Sequence, residues 1–183
     1  MTNRQQWLIV GGIIALLAGG ALVASRVMSD ELVDVSVGVQ APGFTVQTVE
    51  NTPRTKTLSD YRGQVLVLNL WATWCIPCRS EMPGIEALYK ELGPKGLKIV
   101  AVSVDEDGMQ PEIRKFVQEL GLTFEILHDQ AGVMQQIYRT TGIPETFVIG
   151  RDGTIRKKWV GADDWNTPGN KRLLEQLLAE PAP

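Results

Sequence analysis

The sequence predicts an α/β domain in which a central mixed sheet is flanked by helices and extended by an N-terminal β-hairpin. Through the middle of the chain, apolar strand-like runs alternate with amphipathic helical patterns, which implies right-handed βαβ crossovers and parallel strands. Near the C-terminus, two strand-like runs flank the turn Arg151-Asp152-Gly153 and add antiparallel strands at one side of the sheet. These patterns, with an early hairpin pattern, define the fold class.

Strands are predicted where alternating or continuous apolar residues run between turn residues. The segments are 44–49, 55–58, 65–71, 97–104, 124–127, 146–149 and 154–160. The first two form the hairpin, whereas 65–71 is apolar on both faces, as expected for a central strand covered on both sides. In open sheets of this kind the site lies beyond the carboxyl ends of the strands.

Helices are predicted where apolar residues recur every three or four positions. The segments are 77–92, 112–120, 133–139 and 170–178. Gly93-Pro94 stops the first helix, and Gly121 ends the second. About 150 residues follow the N-terminal segment, which is the size of one domain with one core.

The N-terminal segment has the composition of a membrane anchor. Residues 7–24 are uncharged and strongly apolar, and as a helix they would be about 27 Å long, close to the ~30 Å hydrocarbon thickness of a bilayer. A cleaved signal peptide is the alternative, although its apolar region is usually shorter. We predict a signal anchor or transmembrane helix at 1–28, a tether at 29–40 and a folded domain at 41–183.

The charges around the apolar run predict its orientation. Arg4 precedes the run, and Asp30 and Glu31 follow it. By the positive-inside bias, the N-terminus would be cytoplasmic and the domain would lie on the outer face of the inner (cytoplasmic) membrane, with residues 7–24 in the lipid bilayer. The net charge is -3 and no basic stripe is present, so nucleic acid is not expected as a partner.

The only two cysteines lie in the motif Trp74-Cys75-Ile76-Pro77-Cys78, directly after the central strand. They could form a dithiol, a disulfide within the pair, an intermolecular bond or part of a metal site. An exported domain lives where disulfides persist, yet a bridge that closes so short a loop stabilises a fold little. We therefore interpret the pair as a reactive site rather than as a structural disulfide.

The position of the pair at a strand-to-helix junction favours redox exchange, and its spacing permits a Cys75–Cys78 disulfide. Unpaired N–H groups at a helix N-terminus stabilise a thiolate and lower its pKa below about 8.5. Cys75, nearer the exposed end, is the expected nucleophile, and Cys78 would resolve the mixed disulfide. Pro77 suits the first helical turn, while Trp74 and Ile76 supply an apolar surface.

Metal and haem sites are disfavoured by the same region. A haem attachment motif needs histidine where Arg79 stands, and structural zinc needs four ligands although the chain has one histidine, His128. A thioredoxin-like copper chaperone would need His128 to converge with the cysteines and remains an alternative. His128, at a strand end, is expected to be an ordinary polar loop residue, and Asp105-Glu106-Asp107 a solvated loop. No metal and no cofactor is expected.

Two motifs resemble the thioredoxin superfamily: Trp71-Ala72-Thr73-Trp74-Cys75-Ile76-Pro77-Cys78 and Gly142-Ile143-Pro144-Glu145-Thr146-Phe147. The likeness extends from about Ala41 to the C-terminus and implies a thioredoxin-like fold. More narrowly, the apolar N-terminus, the hairpin and Cys78-Arg79-Ser80-Glu81-Met82-Pro83 resemble the membrane-anchored ResA/TlpA-type thiol-disulfide oxidoreductases.

This resemblance implies roles for individual residues. Pro144 would be cis and face the cysteines, where the backbone of Ile143 pairs with the substrate. Thioredoxin itself has a buried aspartate where Asn69 stands, and Glu81 is implied as the carboxylate near the pair. The implied activity is reduction of disulfides in exported proteins, often apocytochromes c, with electrons from a membrane thiol carrier.

A peroxiredoxin-like thiol peroxidase is the other enzyme class, because the peroxiredoxin N-terminal segment also resembles Ala41-Pro42-Gly43-Phe44. The peroxiredoxin signature P-x-x-x-T-x-x-C is not matched, since Leu68 and Ala72 stand at the proline and threonine positions relative to Cys75. The sequence therefore favours thiol–disulfide exchange over peroxide reduction.

Overall fold

The computed structural model describes residues 3, 7, 11–20 and 35–181. The chain divides into two compact units, Met1–Asp34 and Val35–Pro183. In the first unit, residues 11–20 are helical. Among the described residues, no helix combines the length and the apolar character that crossing a membrane requires. Most of the predicted anchor at 1–28, and residues 29–34 of the predicted tether, lie outside the described residues.

The second unit is built on a seven-stranded sheet. Its strands are β1 Thr45–Thr48, β2 Thr55–Thr57, β3 Val65–Trp71, β4 Leu97–Ser103, β5 Glu125–His128, β6 Glu145–Ile149 and β7 Ile155–Val160. Their order across the sheet is β2-β1-β5-β4-β3-β6-β7. β3, β4 and β5 run parallel, and the remaining pairings are antiparallel. The predicted mixed sheet and early hairpin are confirmed.

Four α-helices accompany the sheet within residues 35–181: α1 Ile76–Leu92, α2 Gln110–Leu120, α3 Met134–Ile137 and α4 Pro168–Ala179. Short 3-10 turns lie at Leu58–Tyr61 and Gly93–Lys95. Gly121 ends α2 in the left-handed conformation, as expected of a glycine at a helix C-terminus. α3 is shorter than the predicted 133–139 helix, since the chain leaves helical geometry at Tyr138 and takes a positive φ at Arg139.

The core lies on both faces of the sheet, and β3 passes between the two halves with every residue buried. Successive side chains of a strand point to opposite faces. Val65, Val67 and Trp71 therefore cluster with apolar residues of α1 on one face. Leu66, Leu68 and Leu70 pack on the other face with aromatic residues that include Tyr138 and Phe147. This burial fixes β3, and with it the segment that follows its carboxyl end.

The second compact unit begins at Val35, so it includes residues 35–40 of the segment predicted as a tether. Val35 is buried, the N–H of Gly38 donates to the carbonyl of Ile155, and the N–H of Ile155 donates to the carbonyl of Val39, both at 2.8 Å. The segment thereby covers part of the outer edge of β7, which would otherwise expose unpaired backbone groups. Because these contacts are made by the backbone, they leave little pattern in the sequence.

Candidate active site

The two cysteines occupy the start of α1, directly beyond the carboxyl end of β3. They form a disulfide with their Cα atoms 5.3 Å apart. Cys75 is the N-cap residue of the helix, and its Sγ accepts the backbone N–H of Cys78 at 3.2 Å. Pro77 lies in the first turn, where its missing N–H leaves no intrahelical bond unmade. The helix N-terminus therefore directs an N–H group at the sulfur of Cys75.

The two cysteines differ in their exposure to solvent. Cys78 is fully buried, whereas Cys75 is 5% exposed. The residues that flank Cys75 are open, with Trp74 67% and Ile76 83% exposed. Exposed apolar side chains beside a barely exposed cysteine form a surface on which another polypeptide can lie.

The loop before β6 closes the other side of the disulfide. The Ile143–Pro144 peptide bond is cis, as the resemblance implied. The carbonyl oxygen of Ile143 lies 3.7 Å from Cys75 Sγ. The carbonyl of Pro144 accepts the N–H of Gly161 at 2.8 Å, which ties this loop to the end of β7. The structure thus brings Ile143 and Pro144 to the cysteine pair.

Glu81 lies on α1, three residues after Cys78, and is only 4% exposed. Burial raises the pKa of its carboxyl group to about 7, although hydrogen bonds from the Asn69 side chain and the Asp163 backbone oppose part of this rise. Those bonds measure 2.8 Å to Oε1 and 3.3 Å to Oε2. A carboxyl group one turn from Cys78 with this pKa can exchange a proton near neutral pH.

Two residues near the site were expected in solvated loops, and both expectations are wrong. Asp105 is buried and accepts hydrogen bonds from Thr73, two residues before Cys75. His128 is fully buried as the last residue of β5 and contacts the backbone of Asp105. Both lie at carboxyl ends of buried parallel strands, and that placement is the signal that could have identified them.

A further buried acid, Glu145, follows Pro144 directly. It is fully buried, and its Oε1 lies 3.2 Å from Nζ of Lys158. No role for this pair was predicted from the sequence. A charged residue between a proline turn and an apolar strand was the available signal, because a buried carboxylate in such a strand needs a partner.

The AhpC/TSA family model matches residues 37–158. The chain belongs to the AhpC/TSA family. Among its relatives, the thiol-disulfide oxidoreductase ResA of Oceanobacillus iheyensis is 35% identical over 163 residues, which cover 87% of this chain and 84% of the relative. The thioredoxin-like protein YneN of Bacillus subtilis is 34% identical and covers 95% of this chain and 97% of its own length.

Solved structures are also similar to the chain. A crystal structure from Chlorobium tepidum, described as a thiol:disulfide interchange protein of the DsbE type, matches with a TM-score of 0.66 and 30% identity. The match covers 79% of this chain and 96% of that chain. With its C-x-x-C pair at disulfide distance, this AhpC/TSA chain is a thiol-disulfide oxidoreductase similar to ResA.

The geometry around the pair suits thiol–disulfide exchange. Within the part of the AhpC/TSA chain that the structure describes, no three His, Cys, Asp or Glu side chains are grouped as metal ligands would be. The disulfide instead lies at a helix N-terminus between an exposed apolar surface and a proline loop. Such a site can pass two electrons between its own sulfurs and those of a bound polypeptide.

Proposed function

We propose that the protein is a membrane-tethered reductase of disulfides in exported proteins, acting on the outer face of the cytoplasmic membrane, with apocytochromes c among its substrates. The observation that carries the proposal is the disulfide at the N-terminus of α1, which is bordered by the exposed side chains of Trp74 and Ile76. The apolar run at 7–24 supports the tether. The resemblance to ResA/TlpA-type proteins supports the reducing direction and the substrates.

Exchange begins with the reduced pair. The Cys75 thiolate attacks one sulfur of the substrate disulfide, so a Cys75–substrate bond forms and the second substrate sulfur leaves as a thiolate. Cys78 then attacks Cys75 Sγ, which breaks the mixed disulfide and releases the first substrate sulfur as a thiolate. Two electrons have passed to the substrate, and the Cys75–Cys78 disulfide has formed.

Proton transfer accompanies the second step. Cys78 is fully buried, so its thiol cannot pass a proton directly to bulk solvent. Glu81 accepts that proton and later returns it to a product thiolate through solvent. Because the pKa of Glu81 is raised to about 7, this carboxyl group can take up and release a proton near neutral pH.

Substrate binding uses the surface around Cys75. Trp74, Ile76 and Pro77 contact apolar side chains of the substrate. The backbone of Ile143, whose carbonyl oxygen lies 3.7 Å from Cys75 Sγ, pairs with the substrate chain beside the attacked sulfur. The oxidised pair is afterwards reduced by a thiol carrier within the membrane, which restores the starting state.

The reduction potential of the Cys75/Cys78 couple tests the direction of transfer. We expect a value near that of thioredoxin, about -270 mV, as required of a reductase. A value near -120 mV, typical of a strong oxidant, would contradict the proposal. The measurement is an equilibrium against glutathione or dithiothreitol, with the thiols counted by alkylation and mass spectrometry.

Trapping tests the substrates and the location. In the full chain, Cys78→Ser should leave exported proteins, apocytochromes c among them, disulfide-bonded to Cys75 in the membrane fraction. Cys75→Ser is the matched control, since it retains only the fully buried Cys78 and should trap far less. Trapped cytoplasmic proteins, or a protein that fractionates away from membranes, would refute the proposed setting.

A further inference from the structure

We propose that Asp105 is a positioning residue for thiol–disulfide exchange, whose buried carboxylate holds the loop carrying Cys75 in the geometry needed for attack. The inference concerns the exchange step itself, so it applies whichever protein is the substrate and whichever membrane face is used. It rests on a continuous set of hydrogen bonds between the ends of β3, β4 and β5.

The carboxylate of Asp105 lies just beyond β4 and is 3% exposed. Its Oδ2 accepts the N–H of Thr73 at 2.9 Å and the hydroxyl of Ser103 at 2.7 Å, and its Oδ1 accepts the Thr73 hydroxyl at 2.7 Å. A buried carboxylate is costly unless its oxygens are satisfied. Two of the three donors belong to Thr73. The buried carboxylate of Asp105 therefore keeps its hydrogen bonds only while the loop that carries Thr73 holds its position.

Thr73 transmits that position to Cys75 through a tight turn. The N–H of Cys75 donates to the carbonyl of Ala72 at 3.2 Å, and Cys75 takes the extended conformation of an N-cap residue. A shift of the backbone at Thr73 would therefore carry Sγ away from the N–H groups of the first turn of α1. Those groups stabilise the attacking thiolate.

Asp105 is itself fixed from the opposite side by β5. Nε2 of His128 lies 2.9 Å from the carbonyl oxygen of Asp105 and must carry the hydrogen, because a carbonyl only accepts. His128 pairs in register with Ser103, whose carbonyl accepts the N–H of Asp129 at 2.9 Å. The carboxylate is thereby anchored to the sheet, and the loop is anchored to the carboxylate.

Four substitutions separate position from charge. Asp105→Asn keeps the shape: its amide oxygen can accept the Thr73 N–H and its amide group can donate to the Thr73 hydroxyl, so the loop is held without the charge. Asp105→Ala removes every hydrogen bond of the side chain and leaves the backbone contacts in place. Thr73→Val keeps the shape of Thr73 but loses the hydroxyl bond, and Thr73→Ser retains that bond.

The experiment measures the rate at which iodoacetamide alkylates Cys75 in the reduced full chain at pH 7, followed by mass spectrometry of the Cys75 peptide. We expect alkylation to slow about three- to tenfold in Asp105→Ala, as loss of part of a helix-terminus interaction predicts. Thr73→Val should slow it less. Asp105→Asn and Thr73→Ser should stay close to the wild-type rate.

Several results would overturn the inference. One is a folded Asp105→Ala protein that alkylates at the wild-type rate, since Asp105 would then serve stability alone. Another is equal slowing by Asp105→Asn and Asp105→Ala, which would assign the effect to charge. If Asp105→Ala does not fold, the comparison of Thr73→Val with Thr73→Ser tests the inference. Equal rates of Cys75 alkylation in these two variants would show that Asp105 does not position the loop.

Discussion

The side-chain nitrogen of Asn69 donates two hydrogen bonds of 2.8 Å, one to Oε1 of Glu81 and one to Oγ1 of Thr146. Asn69 lies on β3, Glu81 on the helix that carries the cysteines, and Thr146 on the strand that follows Pro144. One neutral amide thus joins the two halves of the site. Because the amide does not titrate, proton exchange at this contact belongs to Glu81.

Replacing Glu81 by glutamine should change how stability depends on pH. The pKa of Glu81 rises from its ordinary 4.5 to about 7 in the folded protein. The folded state therefore holds this proton more tightly than the unfolded chain, and the associated stability is present below pH 4.5 and lost as pH rises to about 7. We expect the free energy of unfolding, relative to Glu81→Gln, to fall by roughly 3 kcal/mol across this window.

Urea denaturation of both oxidised proteins between pH 4 and 8 measures this difference. If the free energy of unfolding changes with pH in the same way in both proteins, Glu81 does not titrate between pH 4.5 and about 7. The same variant in reduced form should alter the pH dependence of Cys78 alkylation, and an unchanged alkylation profile would remove Glu81 from the proton-transfer step.

Asn69→Asp should place a second carboxyl group within hydrogen-bond distance of Glu81. Two carboxyl groups so close cannot both ionise readily, so the pair shares a proton and its upper pKa exceeds that of Glu81 alone. We expect the upper titration step to rise by at least about one unit, measured by carboxyl NMR. Thr146→Val is the matched control, because it removes the other partner of Asn69 without adding an acid. Equal titration in both variants would argue against the coupling.

Lys158→Met should destabilise the fold, because it leaves the carboxylate of Glu145 buried without its ion-pair partner. Removal of one member of a buried ion pair costs about 3–5 kcal/mol, and the lower end applies here since the Lys158 side chain is 26% exposed. The double variant Glu145→Gln with Lys158→Met should regain most of the loss in urea denaturation. A double variant no more stable than Lys158→Met would show that the two groups are not coupled.

Ile76→Ala should affect substrate binding rather than stability. Ile76 is largely exposed, so we expect the free energy of unfolding of the Ile76→Ala protein to differ from that of the wild type by less than about 0.5 kcal/mol. The KM for a disulfide-bonded protein should rise several-fold, while turnover of a small disulfide such as oxidised glutathione stays near the wild-type rate. Val37→Ala is a matched control, being an exposed aliphatic residue in the segment that joins the start of β7. An unchanged KM in Ile76→Ala would remove this side chain from the binding surface.

The features that the sequence predicts best are those set by local pattern. The strand at 65–71 matches β3 at both ends because its apolar run is bounded by turn residues. The cysteine pair was identified by spacing, since a C-x-x-C at a strand-to-helix junction has few structural alternatives. The roles expected of Glu81 and Pro144 come from resemblance to a family, not from the pattern of the residues alone.

Burial of polar side chains was not predictable in the same way. Asp105 is buried by contacts with Thr73, which is 32 positions away in the chain. His128 is buried because β5 lies between β1 and β4, an order that the linear pattern does not specify. The backbone pairing of Val39 with β7 likewise produces no pattern of apolar residues in the sequence from which it could be predicted. These features depend on partners that only the fold brings together.

The limited exposure of Cys75 also determines which disulfides the enzyme can reach. With only 5% of Cys75 exposed, a substrate disulfide has to come into close contact with the start of α1 before it can react. We expect a disulfide packed inside a folded protein to meet this requirement less readily than one in an extended segment. The enzyme should therefore leave native bridges largely intact and open those in chains that have not yet matured.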